Sequence, residues 1–513
     1  MVSQVYTQSQ SFRRIRDDNL FYSDKTSYIY QLINDYRTKI LCRPFGFGKT
    51  LLIDTLEELF SGRRELFTGL WIDSSDHQFV KHPVIRLNLQ HVGPLTPATL
   101  RERIINDLEK IAQAEALPIN QLNPRLPFED LIIKLYQKYN PRASEPAIEE
   151  LGPALGQVKV VVLIDDYDDP IVSNLDNEPL ALEFQKTLYS FYRSFQNLEK
   201  YCRLILLTGQ TKLGLGEPGP FSPQVVDISY LPEYAGVCGF IQADLDRLIN
   251  ERFEPETPYL VMKNQAQPTQ TADDLRRLIS IWYDGYIFDG STLFDEKNQK
   301  TLIKIFNPYS ILNFFANKTF DNYWIKAQKN NFLANIVAKM PERFLGNSFS
   351  DYSKLALTSV DKHPTGLLLF QAGYLTLKEI TASHGLLHYS MKVPNLEVSL
   401  GFRSALLEVL FNLTSVEEIR ITQNNVQKSL AAHNQVAVEE IFALAVARLT
   451  FHPYRQDNFF YRTVFQLFIY CLGFDSDPED PLTINRLQLV VESFAAQKAS
   501  QSVLPKSSPQ PEP

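Results

Sequence analysis

The stretch Arg43-Pro44-Phe45-Gly46-Phe47-Gly48-Lys49-Thr50 constrains this chain more than any other. The apolar run Ile40-Leu41-Cys42 enters it, and Leu51-Leu52, Thr55-Leu56 and Leu59-Phe60 leave it at helical spacing. Strand, glycine-containing turn, Gly-Lys-Thr and helix form the layout of a loop whose backbone N–H groups and helix N-terminus receive phosphates. In such a loop Gly46, Phe47 and Gly48 offer backbone, Lys49 reaches the β- and γ-phosphates, and the Thr50 hydroxyl ligates Mg²⁺. The general pattern opens on glycine, whereas this chain has Arg43. A plain strand-to-helix turn that contains Gly-Lys-Thr is therefore the competing reading.

Length and composition set the frame. At 513 residues the chain exceeds one ordinary core, and at roughly 100–200 residues per domain it predicts two to four domains. Hydrophobic residues make up 44% and charged residues 21%, as in soluble globular proteins. A net charge of −8 argues against a nucleic-acid-coating role, which needs surplus Lys and Arg. Cys42, Cys202, Cys238 and Cys471 are far apart and form no CxxC pair, so zinc and redox motifs are not expected. Scattered thiols fit a reducing compartment. Met1 to Gln10 is polar and has no apolar signal core. The most apolar stretch, Val464 to Phe474, falls short of the ~20 residues a bilayer span requires. The expectation is a cytoplasmic protein that does not embed in a membrane.

Upstream of the loop, Tyr28, Ile29, Leu32 and Ile33 lie on one helical face, with Ser23 or Asp24 as its cap. Downstream, Gly62 is a natural end for the helix that follows the loop. Pro83 to Leu89 reads as a strand, and Thr96-Pro97 opens a helix through Ile104, Ile105, Leu108 and Ile111. Another helix is expected over Phe128 to Tyr139, then a looser connector from Pro141 to Gly156.

Val160-Val161-Val162-Leu163-Ile164 is an unbroken apolar run that ends in Asp165-Asp166-Tyr167-Asp168-Asp169. Such a run suits a strand buried on both faces of a parallel sheet. An acid at the C-terminal tip of that strand faces the ligand crevice. There Asp165 would hold Mg²⁺ opposite Thr50, and Asp166 would orient an attacking water; a solvated acidic loop is the bland alternative. Arg203 to Gln210 repeats the form, an apolar strand with a polar tip, where Thr208 or Gln210 would sense a γ-phosphate. Strand–helix alternation implies a doubly wound α/β sheet.

Beyond Pro218 the chain alternates turns with helices over Ala243–Asn250, Asp273–Tyr283 and Ile311–Phe315, the last capped by Asn307-Pro308. Gln265 to Gln270 reads as a surface loop and Ser348 to Thr365 as a linker. Strands are expected near Leu375 and over Leu387–Val393. Gly401 to Phe474 reads as helical, with core stripes of Phe442, Leu444, Ala445 and Leu449 and of Val464, Phe465, Leu467, Phe468 and Leu472. Leu487 to Val491 is a last strand candidate, and Ala496 to Pro513, rich in Ser, Gln and Pro, is expected to be disordered.

Taken in order, several motifs carry a family resemblance. They are Tyr22-Ser23-Asp24-Lys25-Thr26, Arg43 through Thr50, Leu163 through Asp168, Leu207-Thr208-Gly209 and Tyr283-Asp284-Gly285-Tyr286. Asn307-Pro308-Tyr309-Ser310, Gly373-Tyr374-Leu375-Thr376 and Pro394-Asn395-Leu396-Glu397-Val398 follow. The chain resembles the AAA-ATPase-like proteins, P-loop ATPases of a kind usually fused to a C-terminal PD-(D/E)xK nuclease-like domain. The resemblance runs from Phe12 to Val398, and more faintly to Val491. It implies ATP and Mg²⁺ as cofactors. It implies that Arg43, normal at that place in the family, joins Gly46, Phe47, Gly48, Lys49 and Thr50 at the nucleotide. It implies Thr50 and Asp165 at the metal, Asp166 as base and Thr208 as sensor.

Three departures qualify the resemblance. Phe45 and Gly46 stand where the family typically has two arginines, and Asp166 stands where it has Glu, one methylene longer. Gln488 within Asn485-Arg486-Leu487-Gln488-Leu489 replaces a nuclease carboxylate, and an amide is a poor Mg²⁺ ligand. The expected division is a P-loop domain over 1–255, a mostly helical associated region over 256–400, a degenerate nuclease-like α/β region over 401–495 and a tail over 496–513. The expected activity is ATP-driven switching or regulation with no nuclease function. The alternative is a nucleotide-binding regulatory module with negligible turnover. Nucleotide is the expected partner, a homo-oligomer is compatible with the family, and nucleic acid is disfavoured by charge. Arg276 and Arg277 are arginine-finger candidates only by lying after the core, where a solvated helix face is the simpler reading.

Overall fold

A computed structural model describes residues 11–474 except for short internal stretches, the longest being 118–126, 142–156, 214–224, 289–302, 338–347 and 350–364. Residues 1–328 group with 348–398 in one compact unit, and 329–347 group with 399–513 in another.

The apolar runs of the first unit assemble as a five-stranded parallel sheet. Its strands are β1 (Thr38–Cys42), β2 (Val84–Asn88), β3 (Val160–Asp165), β4 (Cys202–Gly209) and β5 (Val225–Asp227), in the order β2-β3-β4-β1-β5. β1 and β3 are buried along their whole length, which is why neither alternates polar with apolar residues. β4 lies between them, so the strand that feeds the loop and the strand that carries the acids are not neighbours. The pairings Leu41 with Thr208 and Ile164 with Leu207 bring all three C-terminal ends level. The expected α/β parallel sheet is what the structure shows.

The helices around the sheet are α1 (Phe12–Asp17), α2 (Thr26–Asn34), α3 (Lys49–Phe60), α4 (Pro97–Ala114) and α5 (Pro127–Tyr139). α3 starts at the loop and buries Leu52, Ile53, Leu56, Leu59 and Phe60. On β2, Arg86 donates to Asp54 and Glu57 of α3 at 2.8 and 2.6 Å and ties the helix to the sheet. α4 opens on Pro97 with a Thr96–Thr99 capping box and buries Leu100, Ile104 and Leu108, whereas Ile105 is exposed. At the start of α2 the N-cap residue is Lys25, with no side-chain cap, and Asp24 just before it accepts from the Thr26 N–H at 2.9 Å. Ser23 takes no part in it.

The described residues of 256–398 hold both helices and strands. Beside the helices Ala272–Tyr283 and Pro308–Asn317 they carry short strands, including Tyr259–Val261, Gln265–Gln267, Thr376–Ser383 and Leu386–Lys392. The expected loop from Gln265 thus begins as a strand, paired antiparallel with Tyr259–Val261. Polar side chains do not prevent backbone pairing at a sheet edge, and Pro268, with no N–H to donate, follows it. Arg276 bonds Asp246 at 2.8 Å and also meets Asp273.

The helices Val416–Ala431, Gln435–Ala447 and Asn458–Cys471 belong to the second unit. Phe442, Val464, Phe465 and Phe468 are buried there, with the Phe442 and Phe465 rings 4.8 Å apart. Leu444, expected in the same stripe, is 67% exposed. The nuclease-motif stretch Asn485–Leu489 and the tail from Ala496 lie outside the described residues. Among the described residues no helix is long and apolar enough to cross a membrane.

One buried carboxyl organises the rear of the first unit. Glu397 is 1% exposed. It accepts the Trp324 backbone N–H at 2.8 Å, and Ser310 Oγ lies 2.9 and 2.8 Å from its two oxygens. Burial pushes Glu397 up to about 8, against the opposing pull of those hydrogen bonds. Its folded pKa is above its unfolded one. The folded state therefore holds an extra proton between about 4.5 and about 8. The associated stability is present in full at the acid end and is lost as pH rises through that window, by up to about 1.4 kcal/mol per pH unit. Glu397→Gln, neutral at all pH, is expected to flatten the fall in unfolding free energy between about pH 4.5 and about pH 8. Parallel wild-type and variant slopes in urea titrations would contradict this.

Candidate functional site

Lys49 is the first residue of α3, and Gly48 caps that helix in the left-handed region at φ +94°. A Cβ built on Gly48 meets no atom within 4 Å, so the loop presents its backbone to open space. Lys49 is 7% exposed. Its ammonium donates to the loop carbonyls of Arg43 at 3.0 Å and Pro44 at 3.4 Å. The positive charge is therefore held at the loop itself. Thr50 follows on the first turn, half-buried.

Gly46 has φ +82°, and a Cβ there would stand 2.8 Å from Asn307 Oδ1 and 2.9 Å from Tyr309 Cβ. Only glycine fits this close approach. Next to it, the Phe45 carbonyl accepts from Asn307 Nδ2 at 3.0 Å and from Trp324 Nε1 at 2.9 Å. The Phe47 ring is turned into the core against Tyr286 and Phe288, at 4.9 and 5.2 Å, while its carbonyl accepts from the Gly239 N–H. Phe47 thus has only backbone to offer a phosphate.

Arg43 is placed differently from the other loop residues. Its guanidinium is fully buried. It donates to the carbonyls of Cys42, Ser229 and Tyr234 and lies 4.1 Å over the Phe288 ring. Burial pulls its pKa down from the usual arginine value. The structure uses its side chain to join the loop to the neighbouring chain, not as a hand extended into the crevice.

The acids after β3 divide into distinct environments. Asp165 is fully buried; one carboxyl oxygen accepts from Thr208 Oγ1 at 2.6 Å and the other, Oδ2, has no hydrogen-bond partner. A buried carboxylate oxygen left bare is costly, and a cation is the partner that would satisfy it. Asp168, also buried, accepts from the Gln210 N–H and from the Thr211 hydroxyl at 3.0 and 2.6 Å, so it locks the end of β4 to that of β3. Asp166 is half-buried, with φ +49°. Burial, with the charges of Asp165, Asp169 and Asp168 nearby, pushes it up to about 7 against the pull of Lys49.

The structure brings Lys49, Asp165, Asp166 and Thr208 to one end of the sheet. Thr208 is fully buried and its hydroxyl is committed to Asp165, so it positions that carboxylate. Of the two sensor candidates, Gln210 has the more exposed side chain. Among the described residues no group of three or more His, Cys, Asp or Glu could hold a metal by itself. That suits Mg²⁺, which is bound through one or two protein oxygens together with phosphates and water. Thr50 and Asp165 are the residues whose donor chemistry fits it. Asn307, Trp324, Tyr309 and Asp168 were not singled out for the site by sequence. The signal of Asn307, Tyr309 and Asp168 is membership of the ordered motifs; Trp324 belongs to none of them.

The fold and the loop define an α/β protein with a P-loop-like core. Residues 8–216 match the family described as predicted AAA-ATPase and form its AAA-ATPase-like region. A curated protein of Azotobacter chroococcum mcd 1, described as an uncharacterized protein in the vnfD 5′ region, is 29% identical over 491 residues, covering 94% of this chain and 86% of its own length. No solved structure matches the chain.

The contact between the loop and Asn307 can be measured. Gly46→Ala is expected to cost about 1–3 kcal/mol through strain and overlap. In the double variant with Asn307→Ala that cost should shrink by at least about 0.5 kcal/mol. Strict additivity in urea unfolding would show that the two residues do not meet.

Proposed function

We propose that this chain binds Mg-ATP at the loop Arg43–Thr50 and hydrolyses it slowly, as a nucleotide-driven switch. The observation that carries this reading is the bare, fully buried Oδ2 of Asp165, at the same end of the sheet as the strand that leads to Lys49 and separated from it by β4. The family match over residues 8–216 supports it.

Bound Mg-ATP would supply the anhydride bond and a cation that neutralises charge as the bond breaks. The chain's own residues do the rest. The Lys49 ammonium turns from the carbonyls of Arg43 and Pro44 toward the triphosphate, while the N–H groups of the loop and of the first turn of α3 point at the same oxygens. The Thr50 hydroxyl and Asp165 hold the cation. Thr208 keeps Asp165 in one orientation by donating to its other oxygen. Asp166 takes the proton of the attacking water. Its pKa, lifted by burial, makes it a stronger base than an ordinary aspartate. Its side chain is one methylene shorter than glutamate, which favours slow turnover. Arg43 shapes the loop from behind.

In the C-terminal part, Gln488 stands where a nuclease of this kind has a carboxylate. This supports a chain without nuclease activity. Four free, buried cysteines fit a cytoplasmic setting.

Phosphate release from ATP tests the reading. Lys49→Ala is expected to abolish ATP binding in calorimetry. Asp166→Asn is expected to keep binding and lose about 10²-fold or more in turnover, and Asp166→Glu to raise turnover above wild type. Absence of ATP binding by the wild-type chain with Mg²⁺ present would end this proposal.

A further inference from the structure

An apolar pocket opens beside the loop, on the flank of α3. Its walls include Phe21 and Ile29 from the N-terminal segment, Phe47 and Leu51 from the loop and helix, and Phe240 and Leu312 from later in the chain. Gly48, whose Cα faces open space, is at its rim. A ligand whose phosphates lie on the loop would therefore extend its other end into this pocket.

The chemistry of the walls selects what that end can be. Phe21 and Phe240 meet edge to face at 5.6 Å, and aromatic walls of this kind favour a flat ring. The one cation in the wall, Lys25, is paired with Asp244 at 3.0 Å. Its charge is neutralised, so the pocket offers no free charge to an anion. A neutral heteroaromatic ring suits it and a further phosphate does not.

Ser23 supplies the specific contact. It is 7% exposed, lines this pocket, and its hydroxyl has no hydrogen-bond partner. It does not serve the start of α2, where the Thr26 N–H goes to its neighbour Asp24. A buried hydroxyl left unpaired costs about 1–3 kcal/mol. A ring edge bearing both N–H donors and ring-nitrogen acceptors would satisfy it.

We propose that this pocket receives the purine base of the nucleotide, and that Ser23 Oγ hydrogen-bonds the edge of that base. The inference rests on the phosphate-loop reading above and adds to it the base-binding pocket and a residue that fixes the base. Affinity for ATP then has two separable parts, a triphosphate part at Lys49 and a base part at Ser23.

Calorimetry on the full chain with Mg²⁺ separates them, using ATP and inorganic tripolyphosphate as probes. Ser23→Ala is expected to weaken ATP about five- to twentyfold and to leave tripolyphosphate unchanged. Leu312→Trp, which adds bulk to the pocket wall, is expected to act in the same selective way; Ser23→Thr, which keeps the hydroxyl, should retain most of the ATP affinity. If the wild type binds both probes but Ser23→Ala and Leu312→Trp leave ATP affinity unchanged, the base pocket is overturned and the phosphate loop stands. Equal weakening of both probes also overturns it. If the wild type binds neither probe, the phosphate-loop reading falls and this one falls with it.

Discussion

The Phe45 carbonyl has two lone pairs, and both are occupied by donors from far along the chain, Asn307 Nδ2 and Trp324 Nε1. The loop's shape depends on that pair of bonds. Each donor is itself held. Asn307 caps the helix Pro308–Asn317 by accepting from the Tyr309 N–H, and the Trp324 backbone donates to Glu397, which also meets Ser310. Nearly all of this network is buried, where losing one partner strands another. Asn307 and Trp324, with Ser310 and Glu397 behind them, thus support the loop. The motifs Asn307-Pro308-Tyr309-Ser310 and Pro394-Asn395-Leu396-Glu397-Val398 have a physical reason to recur in the same chain as Gly-Lys-Thr.

The front of the site depends in a similar way on β4. Because β4 lies between β1 and β3, its tip touches both the strand of the loop and the strand of the acids. Thr208 orients Asp165, and the backbone and hydroxyl of the residues just after it hold Asp168. Two of the acids are thereby given fixed work, and Asp166 is left at the crevice in a left-handed conformation that aspartate tolerates better than most residues. The division of labour comes from which acids have partners across the sheet, not from their order in the chain.

The parallel sheet was legible because buried parallel strands write themselves as unbroken apolar runs, as in Val160–Ile164, and the loop because Gly-Lys-Thr needs its glycine at a helix start. Asp165 was legible as a strand-tip acid. The fates of Arg43 and Thr208 were not, since a side chain's direction depends on partners such as Ser229, Tyr234 and Asp165 that spacing cannot supply. Leu444 misled for a simpler reason: it sits beside Phe442 and Ala445 in a short helix whose residues are apolar nearly all round, so pattern alone does not pick the inner face. The strand at Gln265 was hidden because edge pairing uses backbone, and backbone carries no residue signature.

The absence of the two arginines that usually precede the glycine follows from the same packing. Phe45 lies 5.7 Å from the Tyr309 ring, and Gly46 makes room for Asn307 and Tyr309. An arginine at position 46 would need a Cβ where Asn307 Oδ1 already stands, and its left-handed backbone would be strained. Once the loop is held by neutral hydrogen bonds to its own carbonyl, long cations at its crest have no room to fold inward. Arg43 is turned into the core, so among the described residues of the loop Lys49 is the cation whose ammonium remains at the crevice. On the reading proposed above, phosphate binding would rest on the Lys49 ammonium and on backbone N–H groups. Fixed dipoles cost little reorganisation when a ligand arrives, whereas a single side chain that must leave the carbonyls of Arg43 and Pro44 gives up those bonds first. On that reading the loop suits holding a nucleotide in one geometry more than stabilising the extra charge that would develop as its anhydride breaks.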